Sequence, residues 1–360
     1  FCEVLCSISE GEENAAAAHK FLSEEDRIIS AKFKRSTSMN WSQMFAELQL
    51  YATRVVEKPS TSQGVLRARK TEPIEMSEPE SPVMLTCYLR LMGHLCKQSG
   101  TIRDWMLHHT SFSVVNTLLS LCSGPIPAHL RATAFETLAA LMTDRTSANG
   151  NEMWLSIDQW ISGGSVGVSG LGKAPIVSNP LVWHEQQAFQ KISESFNQTN
   201  AFVGLINSLV SPTFDSSSDH LWLPFPESLG ASYRMPGIEP YVDFVLGQAL
   251  SRGVPDLNEH QALLLSFNCL KFVVTCLRSF NEHLVVVLNE STVPSDPTAK
   301  TSSSATYKRL HPFARVIEWL FNEDIIKIIF ATADQDGTKV ARASSDSMLV
   351  LTLLQSIEVM

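Results

Sequence analysis

Charge is scarce in this chain. Asp, Glu, Lys and Arg make up 18% of its 360 residues, where about 25% is usual for a soluble protein. A chain with so little solvated charge covers much of its surface against something else. Cations are scarcer than anions: 28 Lys and Arg stand against 37 Asp and Glu, a net charge of −9. Such a chain repels phosphate backbones, so direct nucleic-acid binding is not expected. Its two basic clusters, Lys32, Lys34, Arg35 and Arg67, Arg69, Lys70, sit in polar, loop-like sequence.

Long apolar runs are missing too. The richest stretch, 262–277, is broken by Ser266, Asn268 and Lys271. It falls short of the ~18 residues a membrane span needs, so no membrane insertion is expected. Seven cysteines are few and odd in number. Cys87, Cys96, Cys122, Cys269 and Cys276 lie inside apolar helical runs and read as small buried hydrophobes of a reducing compartment. Strand and hairpin patterns are absent. What is abundant is apolar sequence, 44% of residues, which excludes a wholly disordered chain. Both ends fall inside apolar segments, at Phe1 and at Met360, so the sequence reads as a fragment of a longer protein.

Almost every apolar segment has helical spacing. Trp41, Met44, Phe45, Leu48, Ala52, Val55 and Val56 follow the i, i+3, i+4, i+7 pattern, with Asn40 and Gln43 placed as a capping box. Further helices are expected over 82–99, 101–109, 113–123, 127–141 and 151–162, with Gly100 as a left-handed stop and Thr101 and Asp104 as a second capping box. In the second half they are expected over 180–197, 199–211, 240–252, 256–280, 282–289, 312–321, 322–332 and 345–360. Loops are expected at 58–80, 163–179 and 290–306, which are rich in Ser, Thr, Gly and Pro. Helix pairs that cannot bury their faces alone must stack on neighbours. The predicted fold is therefore all-α, an irregular HEAT/armadillo-like solenoid running continuously through residues 1–360.

Patterns that resemble chemistry fail on context. Gly163-Gly-Ser165-Val-Gly167 matches a nucleophile elbow, but a helix precedes it where a strand is required. The run Gly167 to Ala174 nearly matches a phosphate-binding loop but ends in Ala, without the hydroxyl that ligates Mg²⁺. Cys87, His94, Cys96, His108 and His109 lack metal-site spacing. Asp334-Gln-Asp336-Gly337 lacks an EF-hand's length and terminal Glu, and reads as a turn. Neither an enzyme nor a cofactor or metal site is expected.

The informative stretch is 221–245. It gathers Trp222, Phe225, Tyr233 and Tyr241 among Pro224, Pro226, Pro236 and Pro240, and proline forbids a regular helix through it. Aromatics outside a helix have two readings here: a strap over an apolar edge, or a hot-spot surface for a partner. Trp41, opening a helix after a basic stretch, has the same two readings, core anchor or partner contact. The candidate partner-binding residues are Trp41, Trp222, Phe225, Tyr233, Arg234 and Tyr241.

The segment from Pro224-Phe-Pro-Glu-Ser-Leu-Gly-Ala-Ser-Tyr-Arg-Met-Pro-Gly to Phe244-Val resembles the signature stretch of the largest scaffold nucleoporins of the nuclear pore inner ring. Asn40-Trp-Ser-Gln-Met-Phe, Cys87-Tyr-Leu-Arg-Leu-Met, Gly124-Pro-Ile-Pro-Ala-His-Leu-Arg and Ala201-Phe-Val-Gly-Leu-Ile-Asn extend the resemblance over nearly the whole chain. The linkers, such as the one beginning Ser295-Asp-Pro, look fungal and do not define the family. The resemblance implies a long α-solenoid located at the nuclear pore complex, in its N-terminal half. It implies an adaptor that binds linear segments of flexible linker nucleoporins and a helical segment of another inner-ring scaffold protein. A soluble transport receptor of karyopherin type is the alternative function.

Overall fold

The computed structural model describes residues 1–32, 39–57, 82–163, 180–213, 223–281 and 304–360. Among them there is no strand, and the chain is all-α as predicted. The described residues form two compact units, one ending at Leu141 and the other beginning at Met142.

The first unit contains α1 (Cys2–Ile8), α2 (Glu12–Lys32), α3 (Trp41–Glu57), α4 (Pro82–Gln98), α5 (Gly100–His108), α6 (Val114–Ser123) and α7 (Ala128–Leu141). The pattern of apolar residues explains its pairing. α4 packs on α7, and the residues they bury include Leu85, Leu89, Met92 and Leu95 of α4 and Leu130, Phe135, Leu138 and Leu141 of α7. Gly93 faces Thr137 across this pair, where a Cβ would make an ordinary van der Waals contact at 3.5 Å from Oγ1. Thr137 then donates to the Leu89 carbonyl at 3.1 Å. Around α3, Trp41 donates its indole N–H to His19 Nδ1 at 3.1 Å. Phe45 stacks on Phe112 with ring centroids 4.3 Å apart, and Phe112 stacks on His109 at 3.9 Å.

The second unit contains α8 (Ser147–Ile161), α9 (Pro180–Ile192), α10 (Phe196–Val210), α11 (Glu239–Asp243) and a π-helix (Phe244–Arg252). It continues with α12 (Glu259–Arg278), α13 (Ser304–Leu310), α14 (Pro312–Leu320), α15 (Glu323–Ala333), α16 (Gly337–Arg342) and α17 (Met348–Val359). Among the described residues α12 is the one helix long and apolar enough to cross a membrane, because its few polar residues are outweighed over 18 positions. Here it packs on α10 and α17 and buries Leu265, Cys269, Leu270, Phe272, Val273 and Cys276. Its Asn268 donates to Asn200 Oδ1 at 2.8 Å, a polar tie between core helices.

Several expected boundaries move, each for a local reason. Asn40 does cap α3, accepting from the Gln43 amide at 2.7 Å, but the Gln43 side chain reaches forward to Glu47 rather than back. Gly100 is not a left-handed stop. Extended Ser99 makes the break, Gly100 opens α5, and no side chain caps it. Asp104 faces His108 instead of closing a capping box with Thr101. α8 starts four residues before the expected 151, because Thr146 accepts from the Asn149 amide. The break between α9 and α10 falls before Phe196 rather than at 198. Gln198 and Thr199 look loop-like in sequence, yet they donate to the Lys191 and Ile192 carbonyls that end α9. Asp336 caps a short helix where a turn was expected, and α13 takes 304–306 from the expected third loop. The 58–80 loop and the 282–289 helix lie outside the described residues, as do all but Gly163 of the 163–179 loop. The Ser165 and Ala174 motifs fall there as well.

His311 illustrates how a buried cap couples to pH. It is 2% exposed, and its Nδ1 accepts from the Phe313 amide at the start of α14. Burial pulls its pKa from 6.5 down to about 4. Between these values the unfolded chain takes up a proton that the folded chain refuses, so stability falls as pH falls through that window. The loss is about 3 kcal/mol on completion. Urea unfolding at pH 7.5 and at 4 should show this loss, and His311→Asn, which keeps a cap acceptor but does not titrate, should flatten that part of the pH dependence.

Candidate functional site

The Pro-rich segment forms a strap across α8 and α9, as its prolines and glycines dictate. Pro224 and Pro226 prevent helix, and the chain then folds into successive tight turns. The Leu229 amide donates to the Pro226 carbonyl at 2.9 Å, and the Gly237 amide returns to the Leu229 carbonyl at 2.9 Å, closing the loop. Gly230 has φ +80°, in the left-handed region. A Cβ there would also collide with the Arg234 guanidinium. Trp154 of α8 donates to the Pro224 carbonyl at 2.7 Å and anchors the start of the strap.

Arg234 sits at the centre. Its guanidinium reaches Asp158 of α8 at 2.9 Å and Glu185 of α9 at 3.0 Å. It also donates to the carbonyls of Met235 at 3.0 Å and Gly237 at 2.8 Å. Asp158 Oδ1 additionally accepts the Tyr233 hydroxyl at 3.0 Å and the Tyr241 hydroxyl at 3.2 Å. Asp158 and Glu185 are 5% and 3% exposed. Burial pushes the Glu185 carboxyl up, against the pull of Arg234. Burial, then the Asp158 charge, pushes both tyrosine hydroxyls well up. Burial works against the Arg234 charge, but its anionic surroundings prevail and hold it firmly protonated.

Apolar packing encloses this network. Tyr241 meets Trp154 edge-on at 5.0 Å and Phe189 at 5.5 Å. Phe225 also packs on Trp154. Downstream, Asp243 accepts both Arg315 Nε, at 2.7 Å, and Nη2, at 2.9 Å. It accepts the Trp319 indole at 2.7 Å as well. A Cβ at Gly247 of the π-helix would come within 2.8 Å of the Trp319 ring, so glycine admits that ring. An open groove of 880 Å³ runs between α9 and the π-helix, flanked by Gln186, Gln190, Glu194, Glu239 and Arg252.

The structure thus brings Phe225, Tyr233, Arg234 and Tyr241 together, and it buries the three aromatics and most of the Arg234 side chain. Trp41 stands apart in the first unit, fully buried against His19 and Trp105, where of its two readings it takes the place of a core anchor. Trp222 lies outside the described residues. Sequence reasoning missed the two carboxylates, Asp158 and Glu185, that hold the strap. Their one signal is an acid within an otherwise buried helical face. Met235, 73% exposed at the tip of the strap, was also missed. Among the described residues no group of three or more His, Cys, Asp or Glu side chains could hold a metal.

Removing one partner of a buried charge network typically costs 3–5 kcal/mol. Arg234→Met should therefore lower unfolding stability by about that amount, since it strands two buried carboxylates. Tyr233→Phe should cost about 1.5–3 kcal/mol, the loss of one hydrogen bond to a charged acceptor. Gly230→Ala should be destabilising through both its φ and the guanidinium contact. Urea denaturation of each variant checks the order; an Arg234→Met loss no larger than that of Tyr233→Phe would contradict it.

The profile of a family described as the nuclear pore complex scaffold, nucleoporins 186/192/205, matches residues 1–360. The chain is 39% identical to nucleoporin NUP192 of Chaetomium thermophilum, over 100% of this chain and 21% of that protein. It is 23% identical to nucleoporin nup186 of Schizosaccharomyces pombe, over 99% of this chain and 22% of that protein. Human nuclear pore complex protein Nup205 is 25% identical over 58% of this chain and 9% of its own length. The chain spans about a fifth of the fungal relatives it matches.

Proposed function

The chain belongs to the nuclear pore complex scaffold family of nucleoporins 186/192/205, and from that membership we propose that it forms part of an inner-ring scaffold at the nuclear envelope. Its role there is architectural and serves nucleocytoplasmic transport, including that of protein and mRNA, without contacting nucleic acid. It binds linear segments of flexible linker nucleoporins and a helical segment of another inner-ring scaffold protein, within one continuous array of stacked helices. The family match over the full 360 residues carries this reading, and it favours a scaffold over a karyopherin-type receptor.

The physical form of the chain suits the role. Stacked helices offer extended surface, and a disordered ligand laid on it makes few contacts per residue. The low charge content fits a molecule whose surface is largely engaged. Within the strap, Phe225, Tyr233, Arg234 and Tyr241 contribute to binding by holding shape, while exposed Met235 makes the contact. Trp222 belongs to the same proposed surface. Trp41 supports the corresponding role in the first unit from within its core.

Immobilised chain should retain synthetic segments of linker nucleoporins and should not retain Ran-GTP, which a karyopherin-type receptor binds. Met235→Asp should weaken retention several-fold at unchanged melting temperature. Failure to retain any segment from a full set of linker nucleoporins, or retention of Ran-GTP, would sink the scaffold-adaptor reading. Unchanged retention by Met235→Asp would remove only the strap from the binding surface.

A further inference from the structure

A pocket of 210 Å³ lies at the N-terminal end of α8, between the first turn of that helix and the start of the strap. Its wall includes Arg145, Ser147, Gly150 and Asn151 on one side, with Thr213 and Glu227 on the other. Arg145 is 7% exposed. Its Nη2 caps the end of α10 by donating to the Leu209 carbonyl and, at 2.9 Å, to the Ser211 carbonyl. Its Nε is buried and has no hydrogen-bond partner. The only influence moving its pKa is burial, which lowers it to about 10. Among the described residues this buried guanidinium has two carbonyls as acceptors and no carboxylate, which leaves it under-compensated.

The surroundings share its sign. α8 runs 15 residues from Ser147, and its first intrahelical bond is from the Gly150 amide to the Thr146 carbonyl at 3.0 Å. Of the amides ahead of that bond, that of Asn149 already donates to Thr146 Oγ1 at 3.2 Å, which leaves those of Ser147 and Ala148 at the positive end of the helix dipole. Ser147 Oγ and Thr213 Oγ1 lie 3.3 Å apart and present two hydroxyls to the same space. Gly150 is needed for the arrangement, since a Cβ there would come 2.8 Å from Arg145 Nε. Glu227 is the one carboxylate among these wall residues, and it is exposed.

We propose that this pocket is an oxyanion site that takes a phosphate group, held by Arg145, the α8 N-terminus and the Ser147 and Thr213 hydroxyls. Donors converge from a guanidinium edge, a helix end and two hydroxyls, which suits a tetrahedral group better than a planar carboxylate. The phosphate comes either free or on a phosphorylated side chain of a bound segment. In the second case the site would make engagement of this unit sensitive to phosphorylation of its partner.

The test titrates the 360-residue chain with potassium phosphate against potassium chloride at matched ionic strength, following melting temperature. A saturable rise with phosphate alone is expected. Ser147→Ala and Arg145→Gln should weaken apparent phosphate affinity about tenfold, the loss of one charge-assisted hydrogen bond. Glu227→Gln should strengthen it, an effect that a purely structural role for the pocket does not produce. If Arg145→Gln fails to fold, Ser147→Ala and Glu227→Gln decide. An equal response to chloride or glutarate, or a phosphate response unchanged in Ser147→Ala and Glu227→Gln, overturns the proposal. A short phosphoserine peptide binding more tightly than inorganic phosphate identifies a phosphorylated side chain as the source, and the reverse order identifies free phosphate.

Discussion

One carboxylate oxygen, Oδ1 of Asp158, organises the middle of the second unit. It accepts from Arg234, Tyr233 and Tyr241, so a single buried atom on α8 fixes two turns of the strap and the start of α11. Glu185 shares the same guanidinium and brings in α9. In a low-dielectric interior a charge so fully satisfied is rigid, because any displaced donor leaves an unpaired ion. The aromatic contacts of Trp154, Phe189 and Tyr241 exclude water from this arrangement. Glu185 and Arg234 of this network also line the groove beside the π-helix.

Away from this network, three of the scarce cations work on backbone. Arg103 donates to the Cys96 carbonyl at 2.7 Å, near the end of α4. Arg131 donates to the Cys122 and Gly124 carbonyls at the end of α6, and Arg145 does the same for α10. Each arginine meets the negative end of a helix and satisfies carbonyls that the helix itself cannot. A chain with 18% charged residues thereby terminates helices without matching acids. Lysine, with a compact head and no planar fork, does not substitute for this.

The class of fold was legible because period-3.6 spacing is a local property: the rows from Trp41 to Ala52 and from Leu130 to Leu141 required no tertiary information. Proline and glycine marked the strap for the same reason. Caps were only half legible. Asn258 and Gln261 form a complete capping box, which fixes the helix start later than the expected 256. Gln43 instead found Glu47, a competing partner that sequence does not rank. Burial of the aromatic candidates was the least legible feature. A tyrosine beside prolines serves a core or a surface equally well, and the choice lies in carboxylates 48 and 75 residues away.

That separation has a kinetic side. Helix pairs such as α9 and α10 form from neighbouring sequence, whereas Arg234 and Asp158 are 76 residues apart. At 5–20 residues per second, ribosomal synthesis exposes Asp158 roughly 4–15 s before its cation appears. Throughout that interval α8 carries an acid on the face it must eventually bury. The helix therefore stays solvated on that side until the strap arrives, and closure of the core becomes a late, chain-length-dependent step rather than part of initial collapse.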